Sequence, residues 1–104
     1  GIVRYGMKDL DGALADYNKA ISLGLKSSAI YFNRGVIFHQ KGQLSDAIES
    51  YSRSIEIDPS NARAYYNRAI SKLIVDNYKE ALQDLEISKR LGYSKAAEVI
   101  AQYY

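Results

Sequence analysis

A 34-residue period dominates this sequence. When the chain is slid against itself by that step, Ala13, Ala47 and Ala81 coincide, as do Tyr17, Tyr51 and Leu85, and Leu10, Leu44 and Tyr78. Gly1, Gly35 and Ala69 fall together, and so do Leu23, Ile57 and Leu91. Tyr31 meets Tyr65, and the dipeptide Asn33-Arg34 meets Asn67-Arg68. A period of this length makes each unit one supersecondary piece that cannot bury its apolar side alone. The units must therefore stack, and the fold follows from how one packs on the next.

Each unit reads as a pair of helices. Over residues 28–41, Tyr31, Gly35 and Phe38 recur at steps of four and three, the helical spacing. Gly42-Gln43 interrupts the pattern, and residues 46–57 resume it with Ala47, Tyr51, Ser54 and Ile55 on one stripe. Asp58-Pro59 ends it, because proline disfavours helix in the residue before it. The third unit repeats the arrangement with helices over about 62–75 and 79–91, the second opened by Asn77 and Glu80 at the spacing of a capping box. Gly24 and Gly92 follow the second helices of units one and three, where a left-handed terminator suits glycine. Residues 94–104 form one more helix, with Ala97, Ile100, Ala101 and Tyr104 on a stripe. Small Gly35 and Ala47 let the helices of a unit approach, and Tyr31 and Tyr51 fill the adjacent holes. The expected fold is all-α: a right-handed superhelical solenoid of antiparallel helix pairs with a concave and a convex side. It forms a single domain over 1–104, with a truncated unit at 1–27, units at 28–61 and 62–95, and a closing helix at 96–104.

These residues resemble the tetratricopeptide-repeat family, whose unit is also 34 residues long. Its pattern has an aromatic at the fourth position, small residues at the eighth and twentieth, an aromatic at the twenty-fourth and proline at the thirty-second. Unit two supplies Tyr31, Gly35, Ala47, Tyr51 and Pro59. Unit three supplies Tyr65, Ala69, Ala81 and Leu85, with Tyr93 where proline is usual, and unit one supplies Gly1, Ala13, Tyr17 and Ala20. Arg34 and Arg68 stand where the family usually has leucine; their stems can pack while the heads reach water or an acid. Lys72 replaces a common aromatic, so looser packing is expected in unit three. Unit one begins at its eighth position. That implies a fragment of a longer array or a cut start, with an exposed apolar end around Ile2, Val3 and Leu10.

Several function classes are disfavoured by the residues themselves. With no cysteine and one histidine, thiolate chemistry, disulfide scaffolds and multi-histidine metal sites are excluded. No glycine-rich phosphate loop or serine elbow is present, so no enzyme activity and no cofactor are expected. His39 reads either as a groove contact and proton acceptor or as a partly exposed helix residue. Asp9/Asp11 and Asp84/Glu86 read as helix-dipole and solubility charges. A net charge of +2 is too small for a nucleic-acid clamp, and the Lys89, Arg90 and Lys95 cluster lies where cations favour a helix end. No apolar run suits membrane insertion. No compartment is fixed, a cytoplasmic one being favoured.

The resemblance implies that the first helix of each unit lines the concave groove through its second, fifth, sixth, ninth and thirteenth positions. These are Ala29, Phe32, Asn33, Val36 and Gln40 in unit two, and Arg63, Tyr66, Asn67, Ile70 and Ile74 in unit three. Each set forms a stripe separate from the core stripe, and a second apolar stripe marks an interaction surface. Asn33 and Asn67 recur at the sixth position. An amide both donates and accepts, so such a ladder can hold an extended peptide by its backbone whatever its side chains. Family members that bind extended peptides use asparagine there, and the resemblance implies the same here. Phe32, Val36, Tyr66 and Ile70 would then receive apolar side chains, Gln40 would extend the groove, and Arg63 would favour an acidic group. The alternatives are that each asparagine bonds a neighbouring helix or water, and that another repeat segment or a second copy covers the stripe.

Some family members grip the acidic C-terminal tail of heat-shock chaperones with a carboxylate clamp. Asn33 and Arg63 match that clamp, but Ile2 and Asn67 occupy positions that need asparagine and a basic residue. The expected function is thus a non-catalytic protein-interaction module, a scaffold or adaptor that binds a short extended segment of a protein partner. The alternative is a structural spacer or self-assembly segment, associating through its exposed repeat ends.

Overall fold

The computed structural model describes residues 7–104. Six helices run in order: α1 (Met7–Ser22), α2 (Ser28–Gln40), α3 (Leu44–Ile57), α4 (Ala62–Ile74), α5 (Tyr78–Arg90) and α6 (Ser94–Tyr103). Each packs against the next, so the chain is an all-α solenoid of helix pairs with no strand among the described residues. The expected helix boundaries agree to within about two residues. The closing helix starts at Ser94, ahead of the repeat boundary at 96. The apolar end expected at Ile2 and Val3, and the packing role of Gly1, lie outside the described residues.

Helix ends are set by local chemistry. The side chains of Ser27 and Asn61 accept hydrogen bonds from the amides of Ile30 (3.1 Å) and Ala64 (3.2 Å), satisfying donors that a helix start leaves free. Gly24 and Gly92 take positive φ as expected. Gly42 does so at φ 78°, and its counterpart one repeat later is Asp76, held at φ 64°. Asp58, ahead of Pro59, instead stops α3 with φ −132° and ψ 88°, away from the helical region. Asn77 sits just before α5, but its amide donates to the Glu80 carboxylate, so the capping box does not form in its usual side-chain-to-backbone manner.

Packing inside each pair follows the small–large pattern. Gly35 lies under the Tyr51 ring so closely that an added Cβ would come within 2.6 Å of it. One repeat later the same places hold Ala69 and Leu85, both fully buried. The methyl gained on one helix is matched by a smaller partner on the other, so helix approach is preserved at nearly constant volume. Buried serines complete the seam. Ser54 Oγ donates to the Ser28 carbonyl (2.9 Å), and its repeat counterpart Ser88 donates to the Ala62 carbonyl (2.8 Å).

A second substitution pair links Lys72 to Asp84. Asp84 does not lie on a polar face: it is 3% exposed. The Arg68 guanidinium meets both its carboxylate oxygens, at 2.8 and 2.7 Å, and Lys72 Nζ lies 3.0 Å away. Burying a carboxylate is costly unless it is paired, and here two cations pair it. In unit two the three places hold Ser50, Arg34 and Phe38. Arg34 donates to Ser50 Oγ (3.0 Å) and lies over the Tyr31 and Phe38 rings at 5.0 and 5.9 Å. Lysine thus replaces the aromatic where an acid replaces serine, and its head is tied down.

The α6 stripe is displaced by one residue from expectation. Ala96 is fully buried and Val99 and Ile100 pack on the core beside it, with Tyr93 against Tyr66 at 5.0 Å between centroids. Ala101 and Tyr104 are exposed. Leu10 is also corrected: it is 7% exposed, covered against α2.

Candidate functional site

The backbones of α2 and α4 approach within 8 Å, more extensively than those of α3 and α5. The outward stripes of α2 and α4 therefore lie side by side on this flank of the stack. His39 Nδ1 and Ser71 Oγ, 3.2 Å apart, join the two helices.

Two adjoining clefts open on this face. The first, of about 370 Å³, is lined by Leu10, Ala13 and Tyr17 of α1 and by Asn33, Val36, Ile37 and Gln40 of α2. The second, of about 310 Å³, is lined by Val36, His39 and Gln40 of α2, Tyr51 of α3, and Tyr66, Asn67 and Ile70 of α4. Their centres are repeat images. Tyr17, Asn33 and Val36 in one correspond to Tyr51, Asn67 and Ile70 in the other. Each cleft thus combines a phenol, an amide and a branched aliphatic side chain. Val36 and Gln40 form the sill between them.

Among the described residues, no Lys, Arg, Asp or Glu lines either cleft. Four cations carried nearby are engaged elsewhere, while Arg63 lies over the Phe32 ring. Arg34 bonds Ser50 and also Asn18 (3.1 Å), Lys41 pairs with Asp11, and Arg68 and Lys72 share Asp84. Burial pushes the Tyr51 hydroxyl up to about 12, with the Asn67 side chain opposing that rise. Tyr66 is also raised, by burial first and then by the neighbouring Tyr93 and Glu98. Both hydroxyls therefore stay protonated at neutral pH, and Tyr51 is buried while Tyr66 is half-buried.

Six of the eight residues expected to contact a ligand line these clefts: Asn33, Val36, Gln40, Tyr66, Asn67 and Ile70. Phe32 and Arg63 do not. The Arg63 guanidinium lies over the Phe32 ring at 5.5 Å, and that ring leans on Tyr51 at 5.8 Å. Tyr17 and Tyr51 were legible only as core residues, yet they form the cleft walls. Among the described residues no group of three His, Cys, Asp or Glu side chains gathers as metal ligands, and no helix is long and apolar enough to cross a membrane.

The sequence model of the TPR repeat family matches residues 35–72. No curated protein sequence matches the chain. Among solved structures it is similar to the Arabidopsis OM64 TPR domain, with 28% identity and a TM-score of 0.81 over 88% of this chain and 77% of that one. The second TPR of Spaghetti (RPAP3), bound to the HSP90 peptide SRMEEVD, shares the fold at 20% identity and a TM-score of 0.76, covering 80% of this chain and 77% of that one. YrrB, a TPR protein with an unusual peptide-binding site, does so at 22% identity and a TM-score of 0.81, over 91% of this chain and 50% of that one.

Proposed function

We propose that this chain is a protein-interaction module of the tetratricopeptide-repeat type that holds a short extended peptide of a partner protein along its α2–α4 flank in an adaptor role. The observation that carries this reading is the pair of repeat-related clefts, each with an amide beside an aliphatic wall. The Asn33 and Asn67 amides bond the peptide backbone. Val36 and Ile70, with Tyr66, receive side chains, and Gln40 steadies the segment between the clefts. Arg63 and Phe32 form a rim and act on flanking residues. One structural neighbour bound to a peptide and another described as having a peptide-binding site support the reading at the level of the fold.

The test is selection from a random peptide display library by the wild-type chain and by an Asn33→Ala/Asn67→Ala variant. A motif selected by wild type and lost by the variant supports the groove. No selection, or equal selection, contradicts it. A self-assembly role draws on one specific observation: Ile74, Val75, Tyr78, Tyr103 and Tyr104 remain 46–65% exposed around the C-terminal end. Mass that rises with concentration in solution would favour that role.

A further inference from the structure

We infer that His39 is a further ligand contact in the second cleft and that Ser71 is its positioning residue, the ring's Nε2–H donating to a backbone carbonyl of the bound peptide. The inference rests on the peptide reading above and adds a contact to it. It starts from a break in the repeat. His39 Nδ1 of α2 and Ser71 Oγ of α4 lie 3.2 Å apart, and Ser71 is fully buried. One repeat away, the place of Ser71 is held by Ile37, which is buried, and the place of His39 by Leu73, which packs on the core. Aliphatic side chains fill such places with no polar group to satisfy. A hydroxyl taken out of water costs stability unless it is hydrogen-bonded. Packing between units therefore does not call for a polar pair here. Departures of this kind from a chain's own pattern gather at functional sites.

The placement of the ring sets what it can do. His39 is half-buried and lines the second cleft beside Asn67 and Ile70. Its Nδ1 edge is turned to Ser71, so Nε2 is the nitrogen left for the cleft. A neutral imidazole carries one donor and one acceptor, and the bond made by one nitrogen sets the role of the other. The buried Ser71 hydroxyl needs an acceptor for its proton, and Nδ1 supplies it. Nε2 then carries the ring's hydrogen and is a donor. The Asn67 amide in the same cleft both donates and accepts. A peptide backbone offers carbonyls and N–H groups in alternation, so the Nε2 donor takes a carbonyl beside the amide contact.

The test uses the full chain and, as probe, a peptide that the wild-type chain selects from the display library. It compares His39→Gln with His39→Asn. A glutamine amide reaches as far from Cβ as Nε2 does, whereas an asparagine amide reaches only as far as Nδ1. Glutamine therefore keeps the donor in the cleft, and asparagine keeps the bond to Ser71. His39→Gln is expected to bind the peptide about three- to tenfold more tightly than His39→Asn, the worth of one hydrogen bond, with both variants as helical as wild type by circular dichroism. Nitrogen NMR of the wild-type ring is expected to show the Nε2–H tautomer in the free chain and a shift of Nε2 when the peptide is added. Ser71→Ala is expected to lose the single tautomer. His39→Asn binding as tightly as His39→Gln, or more so, would overturn the inference and leave His39 and Ser71 as a tie between α2 and α4. An Nδ1–H tautomer in the free chain would also overturn it. In either case, loss of the peptide by Asn33→Ala/Asn67→Ala keeps the peptide reading standing. Selection of no peptide by the wild-type chain overturns both.

Discussion

At the scale of single residues, the chain solves one packing problem twice with different atoms. Gly35 under Tyr51 and Ala69 under Leu85 are two fillings of the same seam. Gly35→Ala should destabilise the fold by about 1–3 kcal/mol, because the new methyl meets a ring within 2.6 Å. Adding Tyr51→Leu, which recreates the unit-three solution, should recover part of that loss. Urea denaturation of both single variants and the double one gives the coupling; simple additivity would contradict the account. The charged triad makes a parallel case. Asp84→Ser alone strands Arg68 and Lys72 and should cost about 3–5 kcal/mol. Asp84→Ser with Lys72→Phe, the unit-two arrangement, should cost clearly less. These pairings were only partly legible in the sequence. The small and large positions showed as a periodic pattern. Asp84 read as a surface charge because nothing in its neighbourhood along the chain reveals Arg68 and Lys72, which lie on the facing helix. The Phe32–Arg63 stack was hidden for the same reason: a helical wheel fixes the face of a side chain, not which neighbour it leans on.

At the scale of elements, helix boundaries were almost fully legible, since periodicity, glycine stops and Pro59 are local signals. The α6 stripe was misread by one residue. A short terminal helix has few turns to define its phase, and its packing against Tyr66 and Leu73 decides which face is buried. The turn between α4 and α5 holds Asp76 at φ 64°, where the turn between α2 and α3 has glycine. Asp76→Gly should stabilise the chain by about 1 kcal/mol in thermal melts, as the left-handed conformation then carries no side-chain penalty. No change, or a loss, would show that the Tyr78 hydroxyl bond to Asp76 (3.0 Å) outweighs the strain. The α2–α3 seam also carries a pH signature. Tyr51 ionises near 10 when unfolded and near 12 in the fold, so the unfolded chain releases this proton first. The associated stability is whole below pH 10 and is lost as pH rises toward 12. Tyr51→Phe should make stability fall less steeply across that window, as read by urea midpoints at each pH.

At the scale of the molecule, the repeat dictates a stack that sets α2 beside α4, with the two clefts on that flank. The sequence placed the amides and aliphatics on one stripe but could not place Tyr17 and Tyr51 beside them, because those reach the clefts from other helices. The amides Asn33 and Asn67 and the aliphatics Val36 and Ile70 thus recur in two repeat-related clefts. The most direct test follows the side-chain amide resonances of Asn33, Asn67, Gln40 and Asn18 by NMR during titration with a peptide that the wild-type chain selects from the display library. The account predicts that Asn33, Asn67 and Gln40 shift together and saturate at one affinity, while Asn18, which accepts from Arg34 away from the groove, stays in place. Saturable shifts confined to the Tyr103–Tyr104 end, or no shift of Asn33 and Asn67, would contradict it.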